Sequence, residues 1–241
     1  MLLEGLHLLE AALDAGLVPE TVLATPELLE SAPAVLSRLP RPPLAIAPAL
    51  LDELADADSP RGLLATVAAP ERSVAELLGV VARAGDSFPT IVLADGIGDP
   101  ANLGALARTA EAAGAAAVVT TPGGVSWRHP RCLRASTGSL LRLPVFAEVD
   151  AAVLRGALTP IGFTWLALEA HGGEDLYRAE IDGRVLVAVG AEAGGLGVRT
   201  LELADRRVTV PLAAGVESLN AHVAAAVVLF ELRRRALGAR R

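Results

Sequence analysis

The stretch LADGIGDPANLGALARTAEAAGAAAVV, residues 93–119, decides the fold. An apolar strand, TIVLAD from Thr90, ends at Asp95, an alanine-rich helix follows Pro100, and a second apolar run, AAVVTT at 116–121, comes after it. Outward from this unit the pattern repeats. PVFAEV, FTWLALEA, RVLVAVG and RVTVPL are strand-like runs separated by helical patterns. Near-continuous apolar strands alternating with helices indicate a largely parallel sheet covered on both faces, an α/β fold. The loop between the first strand and its helix carries Asp99-Pro100, Asn102 and Gly104, and Arg108 is the first charged side chain of the helix, one and a half turns in. A loop this polar beside an apolar strand calls for a chemical reason.

Composition excludes several classes. With 241 residues, 52% of them hydrophobic, the chain can bury a core without disulfides or metals. No apolar run approaches the roughly 18–20 residues of a spanning helix, and the longest candidate, AHVAAAVVLFEL, is interrupted too soon. MLLEGLHLLEAALDAG is leucine-rich, yet Glu4, Glu10 and Asp14 break any signal-peptide core and no basic lead-in is present. An amphipathic helix in a cytoplasmic protein is expected. One cysteine, Cys132, and four scattered histidines give neither a disulfide framework nor zinc spacing, so no metal is expected. The net charge of −7 argues at first sight against a polyanion partner. Its distribution changes that: residues 1–75 hold 4 Arg against 11 Asp and Glu, or −7, while residues 76–241 hold 17 against 17. The acidity lies wholly in the first third.

That first third reads helix, strand, helix, strand, helix, strand. LLEGLHLLEAALDAG has apolar residues at helical spacing and ends at Gly16, a C′ glycine. TVLAT is a short strand, after which Thr25 can cap a helix with Pro26 at its first position and Glu27 near the positive end. LAIAP and LLATVAAP are further strands. Between Pro70 and Pro89 a proline-flanked helix marks the change in charge balance, so the expected domains are 1–75 and 76–241. The terminal helix, about Ala221 to Leu237, is apolar nearly all round as far as Phe230 and is expected to be buried on more than one side. Arg233, Arg234 and Arg235 sit at the negative end of its dipole.

Two further loops are candidates for holding a cofactor. In VLVAVGAEAGGLG, 185–197, a strand runs into four glycines within eight residues. Glycine lets backbone approach a ligand, or lets the chain turn through positive φ, and both readings stand. Neither a Walker motif nor Gly-x-Gly-x-x-Gly is present, which disfavours a nucleotide-phosphate site. In VTVPLAAGVESLNAHVAAAVVLFELRR, 208–234, a strand ends at Pro211 and Ser218 or Asn220 caps the terminal helix. Glu217, Ser218 and Asn220 together are more than a cap requires.

In that order, DGIGDPANLGALART, VAVGAEAGGLG and VPLAAGVESLNAHVAAA resemble the three motifs of the SpoU/TrmH group of RNA ribose 2′-O-methyltransferases in the SPOUT superfamily, covering essentially residues 90–235. HPRCLRASTGSLLRLPV is similar to the family's segment between its first two motifs, and the acidic start resembles the L30e-like RNA-binding domain that often precedes the catalytic domain. The resemblance implies an N-terminal L30e-like α/β domain followed by a SPOUT α/β domain whose C-terminal segment threads a deep trefoil knot, a rare exception to unknotted topology. It implies S-adenosylmethionine bound in the knot, held by Gly190, Gly195, Val210, Leu212 and Leu219, with the strand end that carries Ala167, Leu168 and Glu169 nearby. It also implies a homodimer through the knot, burying the surplus apolar face of the terminal helix, and an RNA partner, rRNA ahead of tRNA.

Methyl transfer to a ribose hydroxyl needs alignment and loss of the hydroxyl proton. The family's motif implies that Arg108 assists deprotonation. Guanidinium, with a pKa above about 12, is a poor base, so Arg108 is read as orienting ribose and phosphate and stabilising the developing alkoxide. Asn102 is either an N-cap or, on the family pattern Asn-x-Gly-x-x-x-Arg, a residue that fixes Arg108 or substrate. Glu192, an exposed loop charge in most settings, matches the second motif's acid and is expected to anchor Asn102, Arg108 or the third motif's backbone. Ser218 and Asn220 lie by motif position near the ribose. Arg128, Arg131 and Arg134, spaced by three around a helix start, form a solvated face or contact RNA phosphates, with Trp127 beside them to stack on a base. His129, His222 and Cys132 are read as structural. A catalytically silent RNA- or ribosome-binding relative is the rival reading, kept open by the acidic first domain, and a base-methylating SPOUT enzyme fits the motifs less well.

Overall fold

The computed structural model describes residues 1–57, 61–84, 89–192 and 194–238. The chain opens as strand β1 (Leu2–Glu4), and Gly5, at φ 86°, breaks away before helix α1 (Leu6–Asp14). The helix expected from Leu2 therefore starts later. Leu2–Glu4 are claimed by antiparallel pairing with β4 (Leu63–Val67), a partner that local periodicity cannot reveal. Gly16, at φ 75°, follows α1 as expected. Between α1 and β4 lie β2 (Pro19–Ala24), α2 (Pro26–Ser31), α3 (Pro33–Leu36), β3 (Leu44–Ala45) and α4 (Pro48–Leu54). Thr25 occupies the N-cap of α2, with Pro26 behind it, but its side chain makes no capping bond. The first sheet has the order β1-β4-β2-β3.

After α5 (Val74–Arg83), capped reciprocally by Ser73 and Glu76, comes the larger sheet. Residues 85–88 of the proline-flanked stretch lie outside the described residues. The chain continues through β5 (Thr90–Asp95), α6 (Pro100–Ala113), β6 (Ala117–Thr120), α7 (Pro130–Ser136), α8 (Ser139–Arg142), β7 (Val145–Phe146) and α9 (Ala151–Leu158). Then follow β8 (Phe163–Leu168), β9 (Glu174–Asp175), β10 (Arg184–Gly190), α10 (Val198–Leu203), β11 (Arg206–Thr209) and α11 (Ala221–Gly238). The strand order is β7-β6-β5-β10-β8-β11-β9, and every pairing is parallel. The short β9, on the outer side of β11, has no apolar run to announce it.

Strand alternation splits the buried side chains between two faces. Val92, Ala94, Val118, Leu166, Val187 and Val208 face a core shared with α6, α7, α8 and α11. Ile91, Leu93, Val119, Trp165, Ala167 and Leu186 face one shared with α5 and α9. This two-sided cover is why the strands read as unbroken apolar runs. The densest helix contact, α6 on α7, depends on Gly104: a Cβ there would stand 2.4 Å from the Cys132 carbonyl oxygen and 2.7 Å from the Ala135 Cβ.

α11 packs on α6 and β10 through Ala225, Val228, Leu229 and Leu232. Its other side is open, Val223 being 40% and Phe230 48% exposed, so within one chain this helix is buried on one side rather than several. Among the described residues no helix is long and apolar enough to cross a membrane.

Candidate active site

The order of the large sheet reverses between β5 and β10: the chain works outward through β6 and β7, then returns to build the other side. In open parallel sheets ligands bind beyond the carboxyl ends of the strands at such a reversal. Here the ends of β8, β10 and β11 and the segment 211–220 enclose a cavity of about 350 Å³. Of the expected cofactor residues, Leu168, Glu169, Gly190, Gly195, Val210, Leu212 and Leu219 line it, as do Glu192, Ser218 and Asn220. Ala167 does not. Alternation along β8 turns its side chain to the opposite face, where it is wholly buried in the core shared with α5 and α9.

The lip of the cavity is backbone. Ala191 and Gly195 donate to each other's carbonyls at 3.0 and 2.8 Å, closing a tight turn in which Gly195 holds φ 66°. A Cβ on Gly190 would lie 2.1 Å from the Gly195 carbonyl carbon, so only glycine lets β10 run under this turn. Asp95 ties the turn down from the neighbouring strand. Its Oδ2 accepts from the Gly197 amide and its Oδ1 from the Thr121 hydroxyl, both at 2.8 Å, and Thr121 Oγ1 accepts from the Gly96 amide at 3.0 Å. One carboxylate thus joins the ends of β5 and β6 to the glycine loop, a role not assigned to Asp95 or Thr121 from sequence.

The N-cap of α6 is Asp99, whose Oδ1 accepts from the Asn102 amide at 2.8 Å. The capping role open to Asn102 is therefore filled, and its side chain is free for other work. It meets Asn220, whose Nδ2 donates to Asn102 Oδ1 at 3.3 Å and to the Glu192 carboxylate. Asn220 also caps α11, its Oδ1 accepting from the His222 amide at 3.0 Å. The three motifs converge on these three side chains. His222, read as structural, brings Nδ1 to 3.3 Å from Asn102 Oδ1 and so belongs to the site. It stands two residues past Asn220.

Arg108 is exposed on α6, leaving the helix about 120° round from Asn102, and makes no ion pair or hydrogen bond among the described residues. Ser218 lines the cavity without a hydrogen bond among those residues. The arginine trio divides. Arg131 is exposed at the start of α7, where His129 Nδ1 accepts from its amide at 3.1 Å. Arg128 is 3.5 Å from Glu71, and Arg134 is held by Glu4 and, at 2.9 Å, Asp56. Trp127 is 2% exposed within the core, with the Arg128 guanidinium 5.7 Å from its ring centre, so it offers no face to a base. Cys132 is buried as expected, and burial, with a smaller contribution from the Asp99 charge, pushes its thiol up to about 12.

Comparison with known proteins places the chain in a family. The model of the SpoU rRNA Methylase family matches residues 89–230. A 23S rRNA (guanosine-2′-O-)-methyltransferase RlmB of Xanthomonas axonopodis pv. citri is 37% identical over 164 residues, spanning 68% of this chain and 66% of the relative. The RlmB of Haemophilus influenzae is 32% identical over 190 residues, 78% of this chain and 76% of the relative. Among solved structures, the SpoU methyltransferase AviRb from Streptomyces viridochromogenes, in complex with AdoMet, superposes with a TM-score of 0.88 at 27% identity, covering 98% of this chain and 90% of that one. With the family match spanning more than half of the chain and the motifs meeting at one cavity, this chain belongs to the SpoU rRNA methylase family.

Proposed function

We propose that this chain is an S-adenosylmethionine-dependent RNA ribose 2′-O-methyltransferase acting on ribosomal RNA. The observation that carries the reading is the meeting of Asn102, Glu192 and Asn220 beside the cavity at the sheet's reversal point, within the span that matches the family. The relatives named for guanosine in 23S rRNA point to that RNA.

The cavity suits the cofactor. Gly190 lets the Gly195 turn pack closely over the end of β10 at the cavity's lip, while Val210, Leu212 and Leu219 offer apolar walls to a flat base. When bound, S-adenosylmethionine supplies an electrophilic methyl group on a sulfonium. The chain's own side chains do the rest: Glu192 and Asn220 hold Asn102, and Arg108 orients the ribose and its phosphate through its planar fork and stabilises the developing alkoxide. Arg131, exposed beside α6, is available to RNA phosphate.

The finer architecture belongs to the same reading. Residues 1–75 form an L30e-like domain and 76–241 a SPOUT domain whose end threads a trefoil knot. Support comes from the path of the chain, which leaves β11 beyond β8, returns through 211–220 to the lip of β10, and packs α11 on α6. The open side of α11, with Val223 and Phe230, is the face for a second copy. The place of action is the cytoplasm.

Calorimetric titration with S-adenosylmethionine tests the cofactor, with Gly195→Trp as control. Binding of one cofactor per protomer, lost in the variant, is expected. No binding at millimolar cofactor overturns the enzymatic reading and leaves an RNA-binding scaffold in its place.

A further inference from the structure

We propose that a second cavity, beyond the ends of β6 and β7, holds a guanine base of the RNA segment whose ribose is methylated, with Glu148 taking its donor edge and Arg128 its acceptor edge. The RNA in this inference rests on the methyltransferase reading; the base site rests on the cavity itself.

This cavity, of about 280 Å³, is walled by the ends of β6 and β7, the loop 121–128 and the 70–72 stretch between β4 and α5. Because every pairing in the large sheet is parallel, it lies at the same edge as the cofactor cavity. The first motif's loop runs between the two: the Val125 amide donates to the Ile97 carbonyl at 2.8 Å, and the Thr121 hydroxyl donates to Asp95. β6 stands two strands from β10, on the order of 10 Å at the usual spacing. An RNA strand with its ribose at Asn102 and its bases splayed from the stack crosses that loop, and splayed bases are the form in which RNA sequence is read.

The lining favours a base over a phosphate. Its charged residues are Arg72 and Arg128 against Glu71 and Glu148, so an anion would meet two carboxylates beside two guanidinium groups. The volume falls just under the usual range of small-molecule pockets, about 300–1,000 Å³, which suits a base and not a whole cofactor. Two residues are placed at a cost to the free protein. Glu148, exposed and with no hydrogen bond to its carboxylate among the described residues, holds φ 56°, a left-handed conformation unfavourable to any residue with a side chain. Thr120 fixes it there, its hydroxyl accepting from the Glu148 amide at 3.2 Å and its carbonyl from the Val149 amide at 2.9 Å. Arg128 lies over the Trp127 ring at 5.7 Å, and its Nε is buried with no partner among the described residues. Its ion pair, 3.5 Å to a Glu71 side chain that is 83% exposed, contributes little and gives way to a ligand.

Guanine matches these two groups. Its N1–H and N2–H2 donate together from one edge, where a carboxylate accepts both, and its O6 and N7 accept from a guanidinium fork at another. Adenine has no such pair of donors.

Titration of the 15N-labelled protein with 5′-GMP, AMP and inorganic phosphate tests the site without turnover. GMP is expected to move the amide signals of Gly124, Val125 and Glu148, with AMP and phosphate about 10-fold weaker or more. Signals unmoved at millimolar GMP, or moved alike by all three ligands, overturn the proposal. Glu148→Gly then separates a base contact from a structural role. Glycine takes φ 56° without strain, so the melting temperature should hold or rise. GMP affinity should fall about 10-fold and the KM for 23S rRNA rise to match, with S-adenosylmethionine affinity unchanged. Glu148→Gln, which loses one of the two acceptors, should shift both in the same direction. A glycine variant that binds GMP and RNA as the native protein does overturns the proposal. Native protein that takes GMP in this cavity yet methylates no rRNA refutes the methyltransferase reading and leaves the base site supported.

Discussion

Asn220 does two jobs with the two ends of one amide. Its oxygen caps α11 by accepting from the His222 amide, and its nitrogen donates to Glu192 and Asn102. Aspartate is an equally good cap, so Asn220→Asp preserves the helix start while replacing a donor with a second carboxylate facing Glu192. Methyl transfer should fall on the order of 10²-fold or more, with the helical signal in circular dichroism unchanged. An active Asn220→Asp enzyme would show that the amide serves only as a cap. Asn220 and Asn102 were legible as site residues because each stands in a motif with more polar groups than a cap needs. His222 was not, since a ring's partner across 120 residues leaves no mark on its neighbours. Trp127 was misread for the converse reason: an aromatic beside arginines looks available until the core that swallows it is known.

At the scale of the element, α6 is placed by its ends and by one glycine. Asp99 and Pro100 start it, Gly114, at φ 81°, ends it, and Gly104 lets α7 come close. Adding a side chain at Gly104 forces two backbones apart, so Gly104→Val should cost about 1–3 kcal/mol or more. The check is a lower denaturation midpoint, accompanied by loss of transfer because α6 carries Asn102 and Arg108. Strands β5, β6, β8, β10 and β11 were readable from apolar runs, and α6 from the Asp-Pro that begins it. β1 and β9 were not, because Leu2–Glu4 sit in a run with helical spacing and Glu174–Asp175 carry no apolar run, so only their partners make them strands.

Across the whole molecule, the first sheet is fastened to the second by a charged clasp. Glu4, its side chain only 1% exposed, accepts from Arg134 and from the Asp56 and Ala57 amides, while Arg134 also reaches Asp56. Around the clasp, His7 Nε2 lies 3.2 Å from the Thr137 carbonyl, and a Cβ at Gly138 would come 2.6 Å from the Ala11 Cβ. Removing the Arg134 cation leaves the buried Glu4 carboxylate with its two amide donors alone, at a cost of about 1.5–3 kcal/mol. Arg134→Ala should therefore lower the melting temperature by several degrees and leave RNA affinity unchanged. An unaltered melting temperature with weakened RNA binding would return Arg134 to the phosphate contacts expected of its trio. The clasp also gives part of the first third's acidity a structural use, since Glu4 and Asp56 are spent on it.

By itself the sequence determined the α/β class, the parallel sheet and the three loops of the site, because strand and helix periodicity and loop chemistry are set by residues a few positions apart. Only the tertiary structure decided the order of the strands, the side of α11 left open, and which arginines are already engaged. It alone turned Ala167 into the core, freed Asn102 by assigning the cap to Asp99, and brought His222 to it. Each of these depends on strand pairing, steric fit or hydrogen bonding between groups that the chain brings together from up to 130 positions apart. Such partners act through space, and no local pattern encodes them.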